Sequence, residues 1–304
     1  TGVASDMVGS ILPLTAAATH RLVCCDGGVS ALISAEELAA ALGRGEVVVV
    51  DVQYSLMGPP SEELYAAGHL PSAPHLSLNA ALAGQPGAHG RHPLPDPLVL
   101  QQALRDCGLH EDTEVVVYDQ QTSLASARAW WILRWAGHPQ VRVLNGGLDA
   151  WRAAGGAVTT EPVHPEVGTI TVRPGSVAVL DATGAATMAA QGIMLDVRAA
   201  ERYRGDSEPI DAVAGHIPGA INLPISELLD ERGAFLAAPS LRARLTAAGV
   251  HRDTPVGASC GSGVTAAQAV LAMHEAGITA IPYVGSWRAW IADPARPNAT
   301  GPNP

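Results

Sequence analysis

The sequence predicts an α/β protein made of two tandem copies of one unit, each a parallel sheet with helices on both faces. Three observations carry that prediction. Apolar runs ending in aspartate occur in both halves, as Val47-Val48-Val49-Val50-Asp51-Val52 and as Ile193-Met194-Leu195-Asp196-Val197-Arg198, the pattern of strands buried on both faces. A turn also recurs, Ala67-Gly68-His69-Leu70-Pro71-Ser72-Ala73 against Ala214-Gly215-His216-Ile217-Pro218-Gly219-Ala220. Helical stretches separate the strands, so neighbouring strands run parallel and the helices cover the sheet.

Taken in order, residues 1–28 read as a tail and 29–156 as the first unit. Ser34 and Glu37 form a capping box ahead of a helix over Ala35–Leu42. After the strand at Val47–Val52 comes a second, Val115-Val116-Val117-Tyr118, ending at Asp119, and then a helix over Ala125–Ala136. Trp130, Trp131 and Trp135 fall on that helix as a packing stripe. Residues 157–175, rich in Thr, Pro and Gly, read as a linker, with Thr169-Ile170-Thr171-Val172 able to pair at a sheet edge. The second unit spans 176–293 and repeats the plan: a strand over Thr254–Ala258, a helix over Ala266–Ala276, and Gly285 to Trp290 echoing Gly146 to Trp151. Residues 294–304 read as a second tail.

Composition bounds the function. At 304 residues, with 47% hydrophobic and 15% charged residues, the chain suits two ordinary soluble domains. A net charge of -11 without a Lys/Arg cluster argues against nucleic-acid binding. No run of 18 apolar residues exists to span a bilayer, and Thr1 to His20 lacks the basic start of a secretory signal. Four cysteines without a CxxC pair indicate reduced thiols and a cytoplasmic setting. Cys24 and Cys25 read as ordinary thiols and Cys107 as core. No metal-ligand spacing, phosphate loop or dinucleotide fingerprint is present, so no metal and no cofactor are expected.

The chemistry concentrates at Cys260-Gly261-Ser262-Gly263-Val264-Thr265, where an apolar strand enters a glycine-rich turn ahead of a helix. Gly261 and Gly263 are expected to take left-handed dihedrals and turn backbone amides toward the sulfur. The helix N-terminus adds partial positive charge, and both effects favour thiolate over thiol. Cys260 therefore reads as a nucleophile.

With the loop, the repeat and the Gly-His-Leu/Ile-Pro turns placed, the chain resembles the tandem-domain rhodanese family of thiosulfate and 3-mercaptopyruvate sulfurtransferases from about Val29 to Asp293. The resemblance implies two rhodanese-like domains, the first non-catalytic with Asp119 at the cysteine position. It implies that Cys260 takes sulfur from a small donor, holds it as a persulfide, and passes it to a thiol, cyanide or thioredoxin-like acceptor. Cys-Gly-Ser-Gly-Val-Thr resembles the mercaptopyruvate type, with thiosulfate as the rival donor. Ser262 then either donates to the departing enolate or merely closes its own turn, Thr265 braces the loop, and Gly261, Gly263 and Val264 line the donor. Arg202 matches the family's carboxylate anchor, Arg204 is a second anchor or a surface residue, and Arg198 is structural beside Asp196. Ile210 stands where the mercaptopyruvate type carries another arginine, and Val284 and Ala289 replace acidic residues. His216 reads as structural; His69 is either structural or the histidine that the family's first domain brings to the serine, with Glu62 or Glu63 as its acidic partner. A cysteine phosphatase is disfavoured because Ala266 stands where its phosphate-clamping arginine would be, and a non-catalytic sulfur-relay or binding module is the remaining alternative.

Overall fold

The computed structural model describes residues 30–304; the tail read over 1–28 and the Cys24-Cys25 pair lie outside the described residues. The first half runs β1 (Leu32–Ile33), α1 (Ala35–Arg44), β2 (Val48–Asp51), α2 (Ser61–Ala67), α3 (Leu78–Ala81), α4 (Pro97–Asp106), β3 (Val115–Tyr118), α5 (Leu124–Trp135), β4 (Val141–Leu144) and α6 (Gly147–Ala153). The second half runs α7 (Ala182–Gln191), β5 (Ile193–Asp196), α8 (Ala200–Arg204), β6 (Ala220–Asn222), a 3-10 turn (Ile225–Leu228), α9 (Ala238–Ala247), β7 (Val256–Ser259), α10 (Val264–Glu275), β8 (Ala280–Pro282) and α11 (Ser286–Trp290).

Each half holds a four-stranded sheet with every pair parallel, in the orders β1-β4-β3-β2 and β6-β5-β7-β8. The strand that each sheet lacks relative to the other survives as one parallel bridge, Asp51 with His75 in the first half and Leu180 with Tyr283 in the second. Helices cover both faces because side chains alternate along a strand. Val115 and Val117 enter one cluster with α4 and α5, whereas Val116 and Tyr118 enter another with Leu38 and Trp151. The Ser34–Glu37 capping box forms as read, and α1 ends at Gly45 in the left-handed region, where glycine lacks the Cβ that would clash.

Two segments differ from the sequence reading. Residues 169–172 are not a strand: Ile170 N donates to Leu109 O, and Gly168 lies so close to Leu109 that a Cβ would stand 2.0 Å from its carbonyl oxygen. The linker is thus laid against the first domain. The C-terminal segment is docked as well, since Ala299 pairs with His216, Gly301 N donates to Arg204 O, and Trp290 Nε1 donates to Pro297 O. The first half does the same with its own exit, where Thr159 pairs with His69 and Trp151 Nε1 donates to Ala157 O. Both exits therefore belong to the repeat. Among the described residues no helix is long and apolar enough to cross a membrane.

Candidate active site

β7 is buried along its whole length and delivers Cys260, 2% exposed, to the turn before α10. Gly263 caps α10 at φ +86, and a Cβ there would stand 2.1 Å from Val284 O, so glycine is required on both counts. Its amide donates to Cys260 Sγ at 3.0 Å. Gly261 departs from the expectation: its φ is not left-handed, and the nearest atom to an added Cβ is Arg202 Nη2 at 3.5 Å. One glycine, not two, makes the turn. The bracing of the loop comes from Ser286, which the sequence reading missed: its Oγ accepts from Cys260 N at 3.1 Å, donates to Tyr283 O at 2.8 Å and lies 3.8 Å from Sγ. Ser286 is fully buried with φ +50, a strained position for a residue with a side chain. Val264 is buried core, and Thr265 stands partly buried on the first turn of α10.

The other half of the chain completes the site. His92 Nδ1 lies 3.0 Å from Ser262 Oγ, and its Nε2 lies 3.5 Å from Tyr54 Oη. Burial, with the Arg128 and Arg91 guanidinium groups behind it, holds this imidazole down at about 4, so it is neutral at physiological pH. Arg128, on α5, is fully buried and donates to the carbonyls of Leu82, His92 and Pro93, fixing the segment that carries His92. Among the described residues no carboxylate pairs with it, and burial pulls it down to about 10. His69, by contrast, stacks on Tyr65 at 3.7 Å and contacts the carbonyls of Tyr65 and Glu161. His216 stacks on Tyr203 at 3.7 Å and its Nδ1 contacts the Tyr203 carbonyl. Both are structural, and the histidine at Ser262 is His92. Glu62 and Glu63 sit on the exposed first turn of α2, and it is Tyr54 that backs His92.

Arg202 stands beside the loop but is engaged, with Glu208 at 2.7 Å and Asp211 at 3.1 Å. Arg198 is buried on Asp196 at 2.6 Å, as read. Arg204 pairs with Asp206 on the surface, away from Cys260. Arg91, from the first half, reaches Asp211 at 2.8 Å. Cys107 is core, its thiol pushed up to about 12 by burial.

Asp119 shows what such a cradle holds. Its buried carboxylate accepts from the amides of Ser123, Ala125 and Ser126 and from the Ser126 hydroxyl, with Ser123 in the left-handed region where Gly263 stands in the second half. Burial pushes the Asp119 carboxyl up while these amides hold it down, so the strand-to-helix turn directs backbone N–H groups at a carboxyl in one half and the Gly263 amide at a thiol in the other.

The rhodanese-like domain family matches this chain twice, over residues 34–154 and 181–293. The chain belongs to the rhodanese family. Among its relatives, SseB of Mycobacterium tuberculosis, whose name assigns it thiosulfate sulfurtransferase activity, is 44% identical over 275 residues, covering 89% of this chain and 97% of that one. A Pseudomonas aeruginosa protein named as a 3-mercaptopyruvate sulfurtransferase is 41% identical over 284 residues, covering 89% and 98%. The crystal structure of SseA from Escherichia coli, described as a 3-mercaptopyruvate sulfotransferase with the rhodanese fold, superposes with a TM-score of 0.76 at 29% identity, covering 85% of this chain and 99% of that one. The tandem arrangement of two rhodanese domains is thus shared along almost the whole length of these proteins.

Proposed function

We propose that this rhodanese-family protein is a sulfurtransferase that takes sulfur from 3-mercaptopyruvate, carries it on Cys260 as a persulfide, and passes it in the cytoplasm to a thiol, cyanide or thioredoxin-like acceptor. The observation that carries the reading is Cys260 Sγ under the Gly263 amide at the start of α10, with the Ser262–His92 pair beside it. The Cys260 thiolate attacks the donor sulfur, the carbon–sulfur bond breaks, and its electron pair leaves as the pyruvate enolate, which takes up a proton. With Tyr54 donating to His92 Nε2, Nδ1 carries the ring proton and donates to Ser262 Oγ. The hydroxyl proton of Ser262 then faces the enolate. An acceptor thiolate attacks the outer sulfur in the second step and Cys260 leaves as thiolate. The amide that supports the starting anion supports it again on release.

The Pseudomonas relative supports mercaptopyruvate, as does the absence of a cation at Gly261 and Ser262, where a doubly charged donor needs one. Thiosulfate is the second reading, favoured by the name of the mycobacterial relative. Ala266, buried on α10, leaves a phosphatase without its phosphate clamp. Mass spectrometry after incubation with each donor tests the proposal: Cys260 is expected one sulfur atom heavier, with a larger kcat/KM for mercaptopyruvate, and Cys260→Ser is expected to abolish transfer. An unmodified Cys260 after both donors overturns it and leaves the sulfur-relay alternative, whose mark is persulfide uptake from a partner protein alone.

A further inference from the structure

Arg128 is the buried side chain that the fold alone explains least. It is fully enclosed on α5, with its guanidinium 5.9 Å from the Trp131 ring centre, yet among the described residues no carboxylate neutralises it and its Nη1 has no hydrogen-bond partner. A guanidinium buried without a counter-charge costs stability, so its use lies in what its other nitrogens hold. Nη2 donates to Leu82 O at 3.3 Å, His92 O at 3.1 Å and Pro93 O at 3.1 Å, and Nε reaches Leu82 O at 3.4 Å. All three carbonyls belong to one stretch. Between α3 and α4 the chain forms no helix or strand from 82 to 96 apart from the Gly87–Gly90 bridge, so no ladder of backbone bonds fixes it. Gly84 N adds a single bond, to Pro93 O. Arg128 draws the start of the stretch and its His92 end to one point.

That point is fixed relative to the catalytic half. α5 packs along α10, and Gln268 on α10 donates to Thr122 O just ahead of α5. Ser262 stands immediately before the cap of α10. Two packed helices therefore connect Ser262 to Arg128, and the carbonyl bonds carry the connection on to His92. The 3.0 Å contact between His92 Nδ1 and Ser262 Oγ closes the path. The other groups facing the ring are Tyr54 Oη, 3.5 Å from Nε2, and the Arg91 guanidinium, which is held by Asp211.

We propose that Arg128 is a positioning residue of the sulfurtransferase reaction, holding His92 against Ser262 through the carbonyls of Leu82, His92 and Pro93. The proposal rests on the sulfurtransferase reading for its assay, and a measurement without turnover stands beside it. Arg128 makes no hydrogen bond to the catalytic turn, so its effect passes through His92. A double-mutant cycle reads this directly, with kcat for 3-mercaptopyruvate measured in the full-length wild type, Arg128→Met, His92→Gln and the double variant. Arg128→Met is expected to lower kcat roughly 10- to 100-fold in the wild-type background, the effect of misplacing a group by about 1 Å. In the His92→Gln background it is expected to change kcat by less than about threefold. Arg128→Lys, which keeps the charge but lacks the planar fork, is expected to recover part of the loss. The His92 ring signal, assigned by its absence in His92→Gln, is titrated by NMR in parallel. Removing the cation in Arg128→Met is expected to tighten proton binding at His92 roughly tenfold, while Arg128→Lys stays near wild type.

Losses that multiply in the double variant overturn the proposal, because they assign Arg128 to the fold at large. So does an Arg128→Met protein with wild-type kcat. If Arg128→Met does not fold, the same cycle run with Arg128→Lys decides by the same criterion. A wild type inert toward both donors removes the sulfurtransferase reading, and the titration then decides on Arg128 alone: unchanged proton binding at His92 in Arg128→Met overturns its hold on the ring.

Discussion

His92 holds a proton weakly because burial leaves the charged ring little water, and a proton would make it the third cation beside Arg128 and Arg91. Its folded value of about 4 lies below the ordinary 6.5 of an unfolded chain. Between those two pH values the unfolded state binds the proton and the native state refuses it, so stability falls as pH drops from 6.5 toward 4. The loss amounts to about 3 kcal/mol for this residue. His274, held at about 4 by burial and by Arg134, adds a loss of the same sign. Urea midpoints are therefore expected to fall steadily from pH 7 to pH 4.5, and His92→Gln to flatten part of that slope; an identical slope in the variant would show that His92 is not held neutral. Cys260 was legible in the sequence because everything that makes it a nucleophile is local, a strand, a turn and a helix within a dozen residues. His92 was not. Its partner Ser262 is 170 residues away, and nothing in Gly90-Arg91-His92-Pro93 departs from an ordinary loop. The repeated histidines drew attention instead, and their repetition marked a structural duty common to both halves, stacking on Tyr65 and Tyr203.

The loop that carries His92 works as an element, and its mate in the second half shows how. Gly87 and Gly90 bridge each other, and Gly90, at φ +109, approaches the turn before α11 so closely that a Cβ would stand 2.9 Å from Gly285 O. In the reverse direction, Phe235 N donates to Asn145 Oδ1, Ala234 packs near Gly146, and Gly233 lies against Gln121 and Thr122. Each half thus lays a loop over the other's strand-to-helix turn. One loop completes the Cys260 site; the other caps the turn that Asp119 fills. Gly90→Ala is expected to strain the backbone, lift the loop from Gly285 and separate His92 from Ser262. Turnover should fall roughly 10- to 100-fold, the usual consequence of misplacing a reacting group by about 1 Å. Melting temperature, measured alongside, should fall by only a few degrees, since Gly90 lies at the surface of contact and fills no core. Full turnover in Gly90→Ala would show that the loop's approach is not what places His92. The repeat announced both turns, but it could not announce that they face each other's loops, because that relation belongs to the pairing of the halves.

At the scale of the molecule the two domains are not two cores. α5 buries ten of its twelve residues and α10 nine of twelve, and the two helices pack together inside one apolar cluster that runs from Leu100 and Val117 in the first half to Leu241 and Ala258 in the second. A helix apolar on nearly all sides has no stable exposed state. The sequence reading saw this composition in both helices and assigned each to its own sheet, which is half of the arrangement; the remaining face of each helix is the domain interface. Because the same side chains serve both halves, neither half can unfold while the other keeps its core. Scanning calorimetry of the intact chain should show one transition, with the calorimetric enthalpy equal to the van't Hoff enthalpy. The second half isolated from residue 176 onward should bind a hydrophobic dye and lose cooperative melting, since it exposes the face of α10 that Trp130 and its neighbours cover. Two resolved transitions, or a sharply melting isolated half, would mean that each sheet with its outer helices is sufficient and that the shared cluster contributes little. The single transition matters for function as well. His92 reaches Ser262 and Arg91 reaches Asp211 only while the halves are joined, so loss of the interface removes both the fold of α10 and the chemistry at its first turn.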